Sequence, residues 1–120
     1  MRISPLVLAS FALLGCGEDS TSPPVATPPD VVIVANAATL GANAYAPSTL
    51  TFSLAAKQTV KWKNNDGVSP EHTVTADLGA FNSGPLGDTN TFSFTFTAPG
   101  TYDYHCTIHP TMVGPIIVTP

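Results

Sequence analysis

Residues 105–112 read HCTIHPTM and place His105, Cys106, His109 and Met112 within eight positions. Elsewhere the chain has one further histidine, His72, one further cysteine, Cys16, and the initial Met1. Thiolate, imidazole and thioether are soft or borderline donors. Together they suit copper, whereas zinc rarely takes methionine and magnesium or calcium would want oxygen. The spacing C-x2-H-x2-M also has a mechanical sense. Cys106 stands at the end of a strand-like run, two residues let His109 fold back over the same point, and two more bring Met112 to the next run. Pro110 restricts the conformations of that short loop.

Two histidines and one cysteine with a weak axial methionine form the donor set of blue-copper electron-transfer sites. His72, at the start of its own strand-like run, would complete such a set from a neighbouring strand. His105 directly precedes Cys106, so strand alternation turns it to the opposite face. It is read as a surface histidine and not a ligand.

The elements that must position these donors are strands. DVVIVAN (30–36) is a near-continuous apolar run. TLTFSL (49–54) puts Leu50, Phe52 and Leu54 on one face. TVKWKNN (59–65) does so with Val60 and Trp62, NTFSFTFT (90–97) with Phe92, Phe94 and Phe96, and GTYDYHC (100–106) with Tyr102, Tyr104 and Cys106. HTVTAD (72–77) and GPIIVT (114–119) complete the set. Period two recurs and no helical period emerges. NNDG, NSGPLGD and APG supply turn chemistry between the runs. Pro115 lacks an N–H and is expected at a strand start or an unpaired edge position. The Ala-rich stretch from Ala35 to Ser48 is compatible with loop, strand or a short helical turn. Seven or eight short strands in about 90 residues predict an all-β fold, a β-sandwich.

The amino-terminal part is a different material. Arg2, an apolar stretch from Ile3 to Leu14, and Gly15-Cys16 read as a signal peptide over residues 1–15, because the apolar run is too short to span a bilayer. Its end, LLGC, resembles the bacterial lipobox. That resemblance implies cleavage before Cys16, lipidation of Cys16 and a periplasmic or outer envelope location on a lipid anchor. Residues 16–29 are rich in Ser, Thr and Pro and read as a tether. Residues 30–120 form the folded domain. If Cys16 carries lipid, Cys106 has no disulfide partner, so it must be buried, reactive or bound to something.

The segments VKWKNNDGVSPEHTV (60–74), APGTY (98–102) and YHCTIHPTM.G.I.V (104–118) resemble those of a cupredoxin of the plastocyanin/amicyanin type. The short Cys–His–Met spacing is similar to that of amicyanin. The resemblance covers most of the chain from Asp30 to Val118. It implies a Greek-key β-sandwich with one mononuclear type 1 copper per chain, ligated by His72, Cys106, His109 and weakly Met112. It also implies single-electron exchange with redox proteins through the His109 edge. Many relatives carry Asn after the first histidine, tying the two ligand loops together; Thr73 stands here, with fewer hydrogen bonds to offer. Plastocyanins often have a tyrosine at the position of His105, where a partner can dock; here an inert surface residue is favoured.

The net charge of −4, with four basic residues in 120, argues against a nucleic-acid binder. Without residues 1–15, three lysines face eight acids, a balance that steers basic partners such as a c-type cytochrome. The expected molecule is a membrane-tethered monomer and a carrier rather than an enzyme. A periplasmic copper-binding or delivery protein is the main alternative, and an adhesive or structural sandwich with a vestigial site is another. A multicopper oxidase would need a longer chain, and a binuclear centre a second cysteine.

Overall fold

A computed structural model describes residues 24–67 and 71–120. Eight strands form two four-stranded sheets. The first sheet has the order β2-β1-β4-β6, built from β1 (Val31–Ile33), β2 (Tyr45–Ala46), β4 (Thr59–Asn64) and β6 (Thr91–Thr95). The second has the order β3-β8-β7-β5, from β3 (Leu50–Ser53), β5 (Thr75–Ala76), β7 (Gly100–His105) and β8 (Val113–Thr119). β1 pairs with β4, and β3 with β8, in parallel; the remaining pairs are antiparallel. This is the all-β Greek-key sandwich that the alternation predicts.

Alternation also decides which side chains fill the space between the sheets. Val60, Trp62 and Asn64 of β4 are buried while the intervening residues are not, and β8 buries Gly114, Ile116 and Val118 in the same way. Trp62, Tyr104, Phe81 and Phe96 meet at the centre, with ring centroids 5.5–6.1 Å apart in the Trp62–Phe81, Phe81–Phe96 and Phe81–Tyr104 pairs. Tyr104 reaches across to Gly114, its register partner. A Cβ on Gly114 would lie 2.9 Å from the Tyr104 hydroxyl, so a larger residue there would force the buried Tyr104 ring to shift.

Three sequence expectations are refined. The DVVIVAN run is strand only over Val31–Ile33, because Asn36 adopts a left-handed conformation (φ 62°) and turns the chain away. The Ala-rich stretch forms two single 3-10 turns, Ala37–Thr39 and Gly41–Asn43, and then the short β2. Pro115 is the third residue of the central β8, yet it takes an unpaired position on the side facing β3. It is accommodated because pairing with β3 begins only at the next residue, Ile116. The lipobox, and the greater part of the tether, lie outside the described residues.

Two phenols are sealed in this core. Burial pushes the Tyr104 phenol up to about 12, and burial, reinforced by nearby Cys106 and Tyr104, raises Tyr45 further. Below pH 10, the ordinary tyrosine value, both phenols are protonated whether the chain is folded or not. Above it the unfolded chain releases protons that the folded chain keeps. Each buried phenol therefore removes about 1.4 kcal/mol of stability per pH unit until its folded-state value is passed. The expected result is alkaline unfolding in which the tyrosinate ultraviolet absorbance of two residues rises in step with loss of circular dichroism. Full tyrosinate absorbance in a still-folded protein would contradict it.

Candidate metal centre

The centre lies where β7 ends and β8 begins. Cys106 follows His105, the last residue of β7, and alternation turns its thiol inward beside Tyr104. The chain then closes a tight loop. The Met112 N–H donates to the His109 carbonyl at 2.9 Å, and the Cys106 N–H donates to the Met112 carbonyl at 3.0 Å. Met112 is fully buried next to this closure. His72 arrives from the other side. It forms an isolated antiparallel bridge with Leu86, N–H to carbonyl at 3.1 Å in one direction and 2.7 Å in the other.

These elements bring His72, Cys106 and His109 together, with their ligating atoms within 4.8 Å of one another. Both histidines direct Nδ1 at the sulfur: the Cys106 Sγ lies 3.9 Å from Nδ1 of His72 and 3.8 Å from Nδ1 of His109. A divalent ion at the centre of a trigonal set, with bonds of about 2.0–2.1 Å to nitrogen and about 2.3 Å to sulfur, requires N–S separations of about 3.8 Å. The residues present therefore fit a mononuclear copper site in both donor chemistry and spacing. His72 and Cys106 are fully buried, whereas His109 is partly exposed.

Thr73 ties the two ligand loops together more firmly than its single hydroxyl suggested. Its Oγ1 accepts the Thr107 N–H at 2.8 Å and the Thr75 hydroxyl at 3.0 Å, and lies 3.2 Å from the Thr107 hydroxyl. The Thr73 N–H donates to the Cys106 sulfur at 3.2 Å, and the Thr73 carbonyl accepts the buried Tyr45 hydroxyl at 2.8 Å. One residue thus fastens to the thiol, to the loop that follows it and to Tyr45 at the start of β2. Such hydrogen bonds around a ligand hold its orientation and tune the metal it binds.

His105 faces away from the donors. Its Nδ1 is 2.6 Å from the Asp77 carboxylate on the surface, and it is absent from the donor cluster. The residue that sequence reasoning missed is Asp66. It sits in the NNDG stretch, where turn chemistry explained every residue, yet its Oδ2 lies 2.7 Å from Nε2 of His72. Nothing in the local pattern signals that contact, because it depends on the placement of Asp66 beside the His72 ring in the folded chain.

The loop that carries the partly exposed His109 ring, and its flanks, expose several apolar side chains. Ile108 is 47 % exposed, Val113 42 % and Leu40 39 %, and Pro110 and Thr111 are exposed as well. Leu40 precedes the 3-10 turn whose Gly41 sits beside the Thr111 carbonyl.

Residues 6–118 match the family model for the cupredoxin-like domain. Among curated proteins the chain is 34 % identical to amicyanin of Paracoccus denitrificans, an alignment covering 97 % of this chain and 92 % of that one. Among solved structures it resembles a purple cupredoxin from Nitrosopumilus maritimus (TM-score 0.64, 29 % identity, 74 % of this chain and 97 % of that one). It also resembles a part of a copper-containing nitrite reductase from Thermus scotoductus SA-01 (TM-score 0.63, 26 % identity, 98 % of this chain but 25 % of that one). With an eight-strand Greek-key sandwich and a His–Cys–His cluster at the spacing a trigonal copper site requires, the chain belongs to the cupredoxin-like domain family.

Proposed function

We propose that the protein carries single electrons between redox partners, using one type 1 copper held by His72, Cys106 and His109 with Met112 as a weak fourth donor. The observation that carries this reading is the convergence of two inward Nδ1 atoms on one buried sulfur at 3.8–3.9 Å. The chemistry that copper supplies when bound is a reversible one-electron exchange between its cuprous and cupric forms. The chain's contribution is to keep the donors in place through that exchange. The loop from Cys106 to Met112 is closed by backbone hydrogen bonds, and Thr73 fastens it to the His72 segment, so little rearrangement accompanies gain or loss of an electron. The partly exposed His109 ring, flanked in the loop by exposed Ile108 and Pro110, is the route by which electrons enter and leave.

The signal-like residues 1–15 support export, and the LLGC sequence supports a lipid anchor at Cys16 on the periplasmic or outer envelope face, with residues 16–29 as spacer. The acidic balance supports a basic partner such as a c-type cytochrome. Electron exchange with a basic cytochrome should then slow as salt is raised, and exchange with an acidic one should not; identical salt responses would remove that assignment.

Delivery of copper is the competing use of the same residues, and cycling separates the two. Cu(II) is added to the purified protein, which is then reduced and reoxidised repeatedly in the presence of a chelator. A carrier regains the same visible spectrum at each cycle with one copper per chain. A delivery protein surrenders the metal to the chelator on reduction, and that outcome would overturn the carrier reading.

A further inference from the structure

Asp66 is outside the donor set, yet its side chain is only 4 % exposed. An aspartate is seldom so buried without partners. Here both oxygens are engaged. Oδ2 lies 2.7 Å from Nε2 of His72, and Oδ1 accepts the N–H of Asn36, the left-handed residue that precedes the first 3-10 turn. The Asp66 N–H donates in turn to Oδ1 of Asn64 at 2.9 Å. The Asn64 side chain is buried too, and its Nδ2 donates at 2.8 Å to the carbonyl of Leu86, the bridge partner of His72. Asp66 and Asn64 thus bracket His72, one through its ring and the other through the residue paired with its backbone.

The geometry fixes a tautomer. Nδ1 of His72 faces the Cys106 sulfur, so a neutral ring that offers its lone pair there must carry its proton on Nε2. Asp66 is the acceptor of that proton. A carboxylate receiving the outer N–H of a ligating histidine locks the ring's orientation and raises its basicity toward the metal. His109 is built differently: among the described residues its ring nitrogens make one contact, Nδ1 to the Cys106 sulfur. One histidine is anchored by a buried anion and the other is left adjustable.

We propose that Asp66 is a positioning residue for the copper site: it holds His72 in the metal-binding tautomer and, as a fixed negative charge, favours the cupric over the cuprous form. This rests on the copper reading above, and the two fail separately. If the wild-type protein with Cu(II) develops no thiolate-to-copper band, the copper reading falls. If it does, Asp66 can be tested.

Asp66→Asn is nearly isosteric but offers one acceptor where two N–H donors converge. Cu(II) affinity should fall ten- to hundredfold, and Cu(I) affinity less. The reduction potential should rise by about 59 mV for each tenfold difference between those losses. Asp66→Glu, which keeps the charge, should return the potential towards wild type. An unaltered potential and unaltered affinities in a folded Asp66→Asn protein would overturn the proposal. A measurement on the wild type avoids any folding defect of a variant. In the diamagnetic Cu(I) form, the proposal requires a slowly exchanging imidazole proton on Nε2 of His72. A proton that exchanges as fast as the one on His109 would overturn it.

Discussion

Cys106→Ser will abolish the intense visible absorption of the copper-loaded protein and leave the sandwich folded. The band belongs to charge transfer from a thiolate to copper, so it needs the sulfur and not merely a donor at that place. Serine differs at the one atom that both Nδ1 atoms converge upon. Its hydroxyl is a hard, protonated oxygen on a shorter bond, and copper's preference for soft donors is lost with it. The fold has reasons to survive. The site is fully buried, but the Thr73 N–H that donates to sulfur remains as a partner for an oxygen, so the new hydroxyl is not stranded. Visible titration with Cu(II), alongside circular dichroism of the metal-free variant, measures both halves. A variant that still turns intensely coloured would remove Cys106 from the ligand set, and the electron-carrier reading with it.

What was legible beforehand follows from which information is local. The alternation in TVKWKNN, NTFSFTFT and GTYDYHC is local, and it placed Trp62, Tyr104 and Cys106 on inward faces, as found. The same alternation turned His105 outward, where it meets Asp77. The three donors that cluster could be nominated from residue type and spacing, since few roles call for Cys and His at that separation. The supports of the site were not local. Asp66 reaches His72 across six positions, and Thr73 reaches Thr107 across thirty-four. Asp66 is an ordinary turn residue in sequence, and Thr73 could be singled out only through the family resemblance, with its bonds underestimated. Pro115 shows the same divide: its missing N–H called for an unpaired place, but which place depends on where the neighbouring strand starts, and β3 starts opposite Ile116.

The largest loss of stability is expected from Trp62→Ala. Trp62 is fully buried in the middle of β4, between β1 and β6. Its ring packs on Phe81, Phe92 and Tyr104 at centroid distances of 5.5, 5.6 and 5.8 Å. Truncation to alanine opens a cavity that none of these rings can close, because each is held by further neighbours; the cost should be about 3–5 kcal/mol. That is a large share of the roughly 5–15 kcal/mol that keeps a domain folded. Trp62→Phe separates two contributions. The indole N–H lies near enough to the Tyr104 phenol to lower its pKa slightly against the upward push of burial, yet it has no acceptor in hydrogen-bond geometry among the described residues. A buried donor left unpaired costs about 1–3 kcal/mol, and phenylalanine removes it while keeping most of the apolar contact. The phenylalanine variant should therefore lie well above the alanine variant and close to wild type in denaturant midpoint, with the slope of the transition unchanged. If the two substitutions prove equally costly, the indole N–H is making a bond that matters. The consequence for the copper site runs through Tyr104, which touches Trp62 on one side and Tyr45 on the other, at 4.8 Å between ring centroids. Tyr45 in turn holds the Thr73 carbonyl. Because the ligand loops are fastened by their own backbone and threonine hydrogen bonds, Trp62→Phe should keep the visible band while Trp62→Ala weakens it only as the protein unfolds.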